Sequence, residues 1–194
     1  MTITIIGGGI IGLTTAFELT ERGESVHLID AGTSGYGTAD DGTALYPAAS
    51  HYDGGMLAPI AEVQFQQDAL FPLMTASADA YPSLMDRLSR ATDLPTGYDT
   101  TGTLIVAADR ADAEHLQRTR AYYRDLNRPA DPVTPTQARA LEPLLAPRIA
   151  GAVSIPSDHQ LHPRLMRRAL KDALTRRGVT FSTERVTDPD AGDI

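Results

Sequence analysis

The sequence predicts an α/β fold, and three observations predict it. A short β-branched apolar run, Thr2 to Ile6, leads into a glycine-rich turn, Gly7-Gly8-Gly9-Ile10-Ile11-Gly12. Small or apolar residues then recur at helical spacing through Leu13, Ala16, Phe17 and Thr20, with Glu18, Glu21 and Arg22 facing outward. A second apolar run, Ser25 to Ile29, ends in Asp30. The first run, bounded by glycines and lacking alternation, reads as a buried parallel strand.

Composition narrows the class. A chain of 194 residues buries one good core, or one domain with part of another. A hydrophobic share of 42% places it among globular proteins rather than disordered ones. The net charge of −8 disfavours nucleic-acid phosphates and anionic membrane surfaces as partners. The absence of cysteine excludes disulfides, thiolate metal ligands and thiol nucleophiles. Met1 to Ile6 lacks the basic start and long apolar stretch of a secretory signal, so a cytoplasmic location is expected, and no apolar run is long enough to span a membrane.

The later elements follow from periodicity and punctuation. Ala31 to Gly55 is rich in Gly, Ala, Ser, Thr and Asp and reads as a long loop. Leu73, Met74, Ser77, Tyr81, Leu84, Met85 and Leu88 form a helical series that Pro82 splits into two helices or kinks as one. Thr103 to Ala107 reads as a strand, and Arg110 to Asn127 as an amphipathic helix. A Pro-rich connection, Arg128 to Pro135, then leads to a short helix near Gln137 to Leu141, and Gly151 to Ile155 is a further strand. Pro163 to Arg177 is a helix with an apolar stripe through Leu165, Met166, Ala169, Leu170, Ala173 and Leu174. Gly178 ends it, and a strand starts at Val179 to Phe181.

The glycine turn carries the chemistry. Gly7 permits the turn after the strand, Gly9 lets a pyrophosphate approach the backbone, and Gly12 lets the helix pack against the sheet. The helix start, with Ile10 and Ile11, offers free N–H groups and the positive end of a dipole to phosphate. Asp30, at the end of the second strand and followed by Ala31, accepts hydrogen bonds from ribose hydroxyls and repels a 2′-phosphate, which disfavours NADP. FAD and NAD remain open at this point. The loop after Asp30 favours FAD, because an NAD domain ordinarily continues with alternating strands and helices.

Further blocks carry a resemblance: Gly54-Gly55-Met56-Leu57-Ala58-Pro59 with Ala61-Glu62, Gly102-Thr103-Leu104-Ile105-Val106, Asp158-His159-Gln160-Leu161-His162-Pro163, and Gly178-Val179. With the first glycine turn, they resemble the D-amino acid oxidase family of flavoproteins, and within it the glycine oxidases of thiamine biosynthesis. The resemblance implies a Rossmann-like FAD-binding fold of the D-amino acid oxidase type, α/β with α+β elements in its substrate part, incomplete at the C-terminus. It implies an FAD-binding segment at 1–64, a mainly helical part with the start of a substrate domain at 65–150, and a return to the FAD-binding domain at 151–194.

The same resemblance implies flavin contacts from Ala49, Ser50, Gly54, Gly55 and Met56, an adenine contact from Val186, and a substrate pocket lined by Met56, Ala58 and Ala61. The partners it implies are a small amino acid and oxygen. The substrate-carboxylate arginine, the active-site tyrosine and the closing flavin motif are expected beyond Ile194, so no catalytic residue is assigned. The chain is then expected to be a fragment, a truncated product or part of a split protein, completed by a missing C-terminal half or by a homo-oligomer. Two departures stand out: a longer stretch between Asp30 and Gly55, with His51-Tyr52-Asp53 in place of small residues, and His162 where an acidic residue is common.

Other features have plainer readings. His51 is either an imidazole beside the flavin or part of a solvent loop, and the loop is favoured. Asp158, His159 and His162 read as a turn and helix cap rather than a metal site. Arg164, Arg167, Arg168, Lys171, Arg176 and Arg177 read as a solvated helix face. A non-catalytic nucleotide-binding chain awaiting a partner, and an NAD-dependent dehydrogenase, stand as alternatives to the oxidase.

Overall fold

The computed structural model describes residues 1–32, 49–63, 69–128, 130–184 and 186–187, the side chain of His51 excepted. Along them run β1 (Thr2–Ile6), α1 (Ile10–Glu21), β2 (Ser25–Ile29), α2 (Ala49–Tyr52), β3 (Met56–Leu57), α3 (Phe71–Ala91) and β4 (Thr103–Ala107). They continue with α4 (Arg110–Asp125), β5 (Asp131–Val133), α5 (Pro135–Leu141), β6 (Gly151–Ile155), β7 (His159–Gln160), α6 (Pro163–Arg176) and β8 (Thr180–Ser182). The chain divides into two compact units. The first is Met1–Gly55 with Pro82–Gly97 and Leu161–Ile194; the second is Met56–Tyr81 with Tyr98–Gln160.

In the first unit β1, β2 and β8 form a parallel sheet in that order, with Ile5 opposite Leu28 and Leu28 opposite Phe181. Parallel neighbours need crossover connections, and helices supply them. α1 crosses from β1 to β2, and α6 precedes β8. The two helices pack on each other through apolar stripes: Leu13, Ala16 and Phe17 of α1, and Met166, Ala169, Leu170, Ala173 and Leu174 of α6, all buried. Phe17 is wholly buried, with the guanidinium groups of Arg177 and Arg87 lying 4.7 and 5.8 Å from its ring centroid. Arg177 is also ion-paired with Glu21, and Arg87 with Glu18 and Glu21. His27 ties β2 to β8, its Nδ1 2.7 Å from Thr180 Oγ1 and its Nε2 3.2 Å from Ser182 Oγ.

The second unit is built on an antiparallel sheet, β4-β6-β5, covered by α4. Ile60, Val63, Phe71, Ala107, Leu116, Tyr123, Val153 and Ile155 form its core. Local caps set the helix starts. Asp109 accepts from the Asp112 N–H at 3.0 Å, and Thr134 with Gln137 makes a reciprocal capping box for α5. A two-stranded ribbon pairs β3 with β7, placing Leu57 opposite His159.

Three sequence expectations need correction. β1 contains no buried residue, and Ile6 is half exposed, because β1 pairs only with β2 among the described residues. The Pro-rich connection contains strand β5, which tolerates Pro132 because it lies at the sheet edge. The long loop contains the short helix α2; its residues 33–48 lie outside the described residues, as does the His51 side chain. The choice at Pro82 resolves to one helix, α3, continuing through the proline.

Asp158 does more than cap a turn. Its carboxylate is fully buried and accepts the Ile60 N–H at 3.2 Å and the Ala61 N–H at 2.9 Å, 98 and 97 residues away. It therefore fixes the turn that follows β3. Burial raises its pKa above the ordinary carboxylate range, opposed by the two N–H bonds from Ala61 and Ile60. A folded-state pKa above the unfolded one gives a stability contribution that is full below the unfolded value and lost as pH rises through the folded value. Urea unfolding of the chain and of Asp158→Asn at steps across the acidic range should show wild type losing ground to the variant as pH rises; a flat difference would reverse the assigned direction. Asp158→Ala, which strands both amides, should cost about 2–4 kcal/mol at neutral pH.

Candidate functional site

The end of β1, the start of α1 and the ends of β2 and β8 converge in the first unit. Gly7 has φ +106°, and its N–H donates to the Ile29 carbonyl at 2.7 Å, which closes the turn onto β2. A Cβ on Gly12 would fall 1.9 Å from the Gly7 carbonyl oxygen, so only glycine lets the first turn of α1 come this close to the strand. Gly9 occupies the N-cap with no side-chain cap, and among the described residues a Cβ there would meet nothing within 4 Å. Among the described residues, space thus lies open beside Gly9 at the start of α1, whose first N–H groups have no partners within the helix itself. Ile10 is half-buried and Ile11 is 80% exposed beside that space.

Asp30 continues from β2, its N–H donating to the Ser182 carbonyl at 2.9 Å and its Oδ1 accepting from Gly32 at 3.2 Å. Ala31 is exposed. Gly8, which the sequence pattern treats as a spacer, is buried against Asp30: a Cβ on it would lie 2.4 Å from Asp30 Oδ2. A cavity of about 320 Å³ opens here, lined among others by Gly8, Asp30, Arg168, Lys171, Phe181 and Ser182. That volume lies at the lower end for small-molecule pockets and suits part of a nucleotide.

The basic helix face corrects another expectation. Arg164, Arg168, Lys171, Arg176 and Arg177 are exposed, but Arg167 is buried, and its Nη2 donates to the Gly8 carbonyl at 3.0 Å. The aliphatic stem follows the apolar stripe of α6 inward and carries the charge with it. A hydropathy pattern alone carries no signal for this.

The remaining implied flavin contacts occupy varied settings. Ala49 is exposed, whereas Ser50 is buried in α2 and its Oγ has no hydrogen-bond partner among the described residues. A buried hydroxyl without a partner is costly, so a ligand atom there would satisfy it. Gly54 is exposed. Gly55 is buried with φ +78°; its N–H donates to Asp53 Oδ1 at 2.7 Å, and its carbonyl accepts the Leu161 N–H at 2.9 Å. Val186 is half-buried. The cavity at Asp30 is not lined by Ala49, Ser50, Gly54 or Gly55.

In the second unit, Met56 and Ala58 line an apolar groove of about 290 Å³ with Leu57, Pro59, Leu73 and Met74. Met56 is half exposed and Ala58 buried. Ala61 does not line that groove; it packs on the core and is held by Asp158. His159 Nδ1 lies 2.7 Å from the Tyr98 hydroxyl, and burial raises the pKa of Tyr98. His162 is the N-cap residue of α6 without a side-chain cap bond. Among the described residues, no group of three or more metal-ligating side chains occurs, and no helix is long and apolar enough to cross a membrane.

An open approach at Gly9, uncapped helix N–H groups, a carboxylate at the end of β2 and the orphaned Ser50 hydroxyl together fit an adenosine dinucleotide. Two substitutions separate folding from binding. Gly12→Ala should destabilise by about 2–3 kcal/mol, because its methyl meets backbone. Gly9→Ala should leave ligand-free stability within about 1 kcal/mol while weakening dinucleotide binding, because its methyl enters only open space. Thermal unfolding without ligand and titration with FAD measure the two effects; equal stability losses would contradict the separation.

Known proteins match the chain over nearly its whole length. The FAD dependent oxidoreductase (DAO) family model matches residues 2–193. Glycine oxidase of Geobacillus kaustophilus (strain HTA426) is 31% identical over 160 residues, covering 82% of this chain and 39% of the relative. The bifunctional protein ThiO/ThiG of Trichormus variabilis is 31% identical over 181 residues, covering 93% of this chain and 25% of the relative. The crystal structure of glycine oxidase from Geobacillus kaustophilus superposes with a TM-score of 0.80 at 30% identity, over 95% of this chain and 47% of that one. The chain spans between a quarter and about half the length of these relatives. With its glycine turn, its acidic strand end and a family match from residue 2 to residue 193, the chain belongs to the DAO family of FAD-dependent oxidoreductases, whose cofactor is FAD.

Proposed function

We propose that the chain forms the FAD-binding part of an amino-acid oxidase of the glycine oxidase type, acting on a small amino acid with oxygen as acceptor. The likeness to glycine oxidase in both sequence and backbone carries this reading. Bound FAD would supply the two-electron oxidation of the substrate's Cα–N bond to an imine, which water hydrolyses to a 2-oxo acid, with oxygen as the final electron acceptor and hydrogen peroxide as its product. The chain's own residues bind and orient. The α1 N-terminus takes the pyrophosphate, Asp30 the ribose hydroxyls, Val186 the adenine, and Ser50 with Gly54, Gly55 and Met56 the flavin. Met56 and Ala58, which line the apolar groove, are assigned to the substrate pocket, with Ala61 behind them as part of its supporting core. Because the chain covers 39% of one glycine oxidase, the groups that choose and hold the substrate are assigned to sequence outside these 194 residues, or to a partner. A cytoplasmic location accompanies this reading.

A second reading has a specific observation behind it. The mitochondrial pyruvate dehydrogenase phosphatase regulatory subunit of Mus musculus is 24% identical over 91% of this chain, so related sequence occurs in a protein named for regulation rather than oxidation. In that reading the chain binds a dinucleotide without turnover.

Oxygen uptake by the full-length protein with glycine, sarcosine and D-alanine distinguishes the readings: glycine is expected to be fastest, and inactivity with all three would favour the non-catalytic one. For the 194-residue chain, FAD should bind more tightly than NAD and colour the protein yellow. Tighter NAD binding would overturn the cofactor assignment for this chain. Asp30→Ala should weaken FAD binding about tenfold, as expected for losing hydrogen bonds to a charged group.

A further inference from the structure

The glycine turn is held from behind. Arg167 lies in the second turn of α6, is 9% exposed, and donates from Nη2 to the carbonyl oxygen of Gly8 at 3.0 Å. Gly8 is itself buried against the Asp30 carboxylate, where a Cβ would fall 2.4 Å from Oδ2. A peptide unit is planar and trans, so the C=O of Gly8 and the N–H of Gly9 point in opposite directions. Three successive glycines leave this peptide little intrinsic preference. Fixing the Gly8 carbonyl therefore fixes the Gly9 N–H, and Gly9 is the N-cap of α1, with open space before it and no side-chain cap.

We infer that Arg167 is a positioning residue for the dinucleotide pyrophosphate. By anchoring the Gly8 carbonyl it aims the Gly9 N–H at the phosphates, and phosphate affinity thus depends on α6 as well as on the glycine turn. The inference rests on the FAD reading of this site. Removing the anchor frees the Gly8–Gly9 peptide to rotate, and the N–H must then be reoriented each time a phosphate binds. The guanidinium also sets a buried cation behind the glycine turn, where charge is poorly screened, which favours an anionic ligand on that turn.

Arg167→Lys keeps a charged donor one atom shorter than arginine; Arg167→Gln, two atoms shorter, and Arg167→Met do not reach the Gly8 carbonyl. Titration of each variant with FAD, ADP and adenosine, together with ligand-free thermal unfolding, tests the inference. Arg167→Met and Arg167→Gln should each weaken FAD and ADP binding about tenfold, the loss expected of one charge-assisted hydrogen bond, while adenosine affinity stays within about twofold. Arg167→Lys should recover most of the lost affinity, and Arg167→Gln carries the test if Arg167→Met does not fold. Parallel losses for adenosine, ADP and FAD, or no recovery by Arg167→Lys, would make Arg167 a packing residue and overturn the inference. If wild type binds FAD and ADP while Arg167→Met binds both equally well, only this inference fails. Wild type that binds neither overturns the cofactor reading as well.

Discussion

No methyl group fits between the first turn of α1 and the end of β1, and the nucleotide site depends on that contact. A Cβ at position 12 would stand 1.9 Å from the Gly7 carbonyl, so the helix start sits directly over the strand end and its N–H groups face outward. The turn is tied on both sides. The Gly7 N–H reaches the Ile29 carbonyl on β2, and Arg167 reaches the Gly8 carbonyl from α6. Asp30 then bridges β2 to β8 through its backbone while its side chain closes over Gly8. A dinucleotide thus meets backbone groups already oriented by packing, which lowers the ordering cost of binding.

The second unit uses a different device for a comparable task. The turn after β3 has its N–H groups inside the protein, and one buried carboxylate satisfies two of them. Charge is expensive there, and burial raises the pKa of Asp158 despite both bonds. The cost is offset by a fixed path for Ala58, Ile60 and Ala61, the segment beside the apolar groove.

The legibility of the fold follows the range of the interactions. Strands β1, β2, β4 and β6 and helices α1, α4 and α6 declare themselves through local periodicity, glycine stops and proline starts. The glycine turn and Asp30 are legible because their chemistry is contained within about two dozen residues. Arg167 was not legible: a cation on an amphipathic helix is ordinarily solvated, and nothing nearby in sequence reveals that its stem dips toward Gly8. Asp158 reads as a local cap because its true partners lie almost a hundred residues away. β5 is hidden by Pro132, which a central strand would reject and an edge strand accepts. The exposure of β1 depends on which strands flank it, and no local pattern encodes that.

The place of β8 in the sheet has a kinetic consequence. β2 ends at Ile29, and its second parallel partner, β8, begins at Thr180, so the site's third wall is supplied by a strand about 150 residues later in the sequence. The antiparallel sheet of the second unit, by contrast, pairs over shorter separations, β4 with β6 and β5 with β6. Non-local pairings close large loops and form slowly. During synthesis the antiparallel sheet is therefore expected to consolidate while β2, already beside β1, still awaits β8, and a nascent chain becomes able to hold a nucleotide only after residues near 182 have left the ribosome.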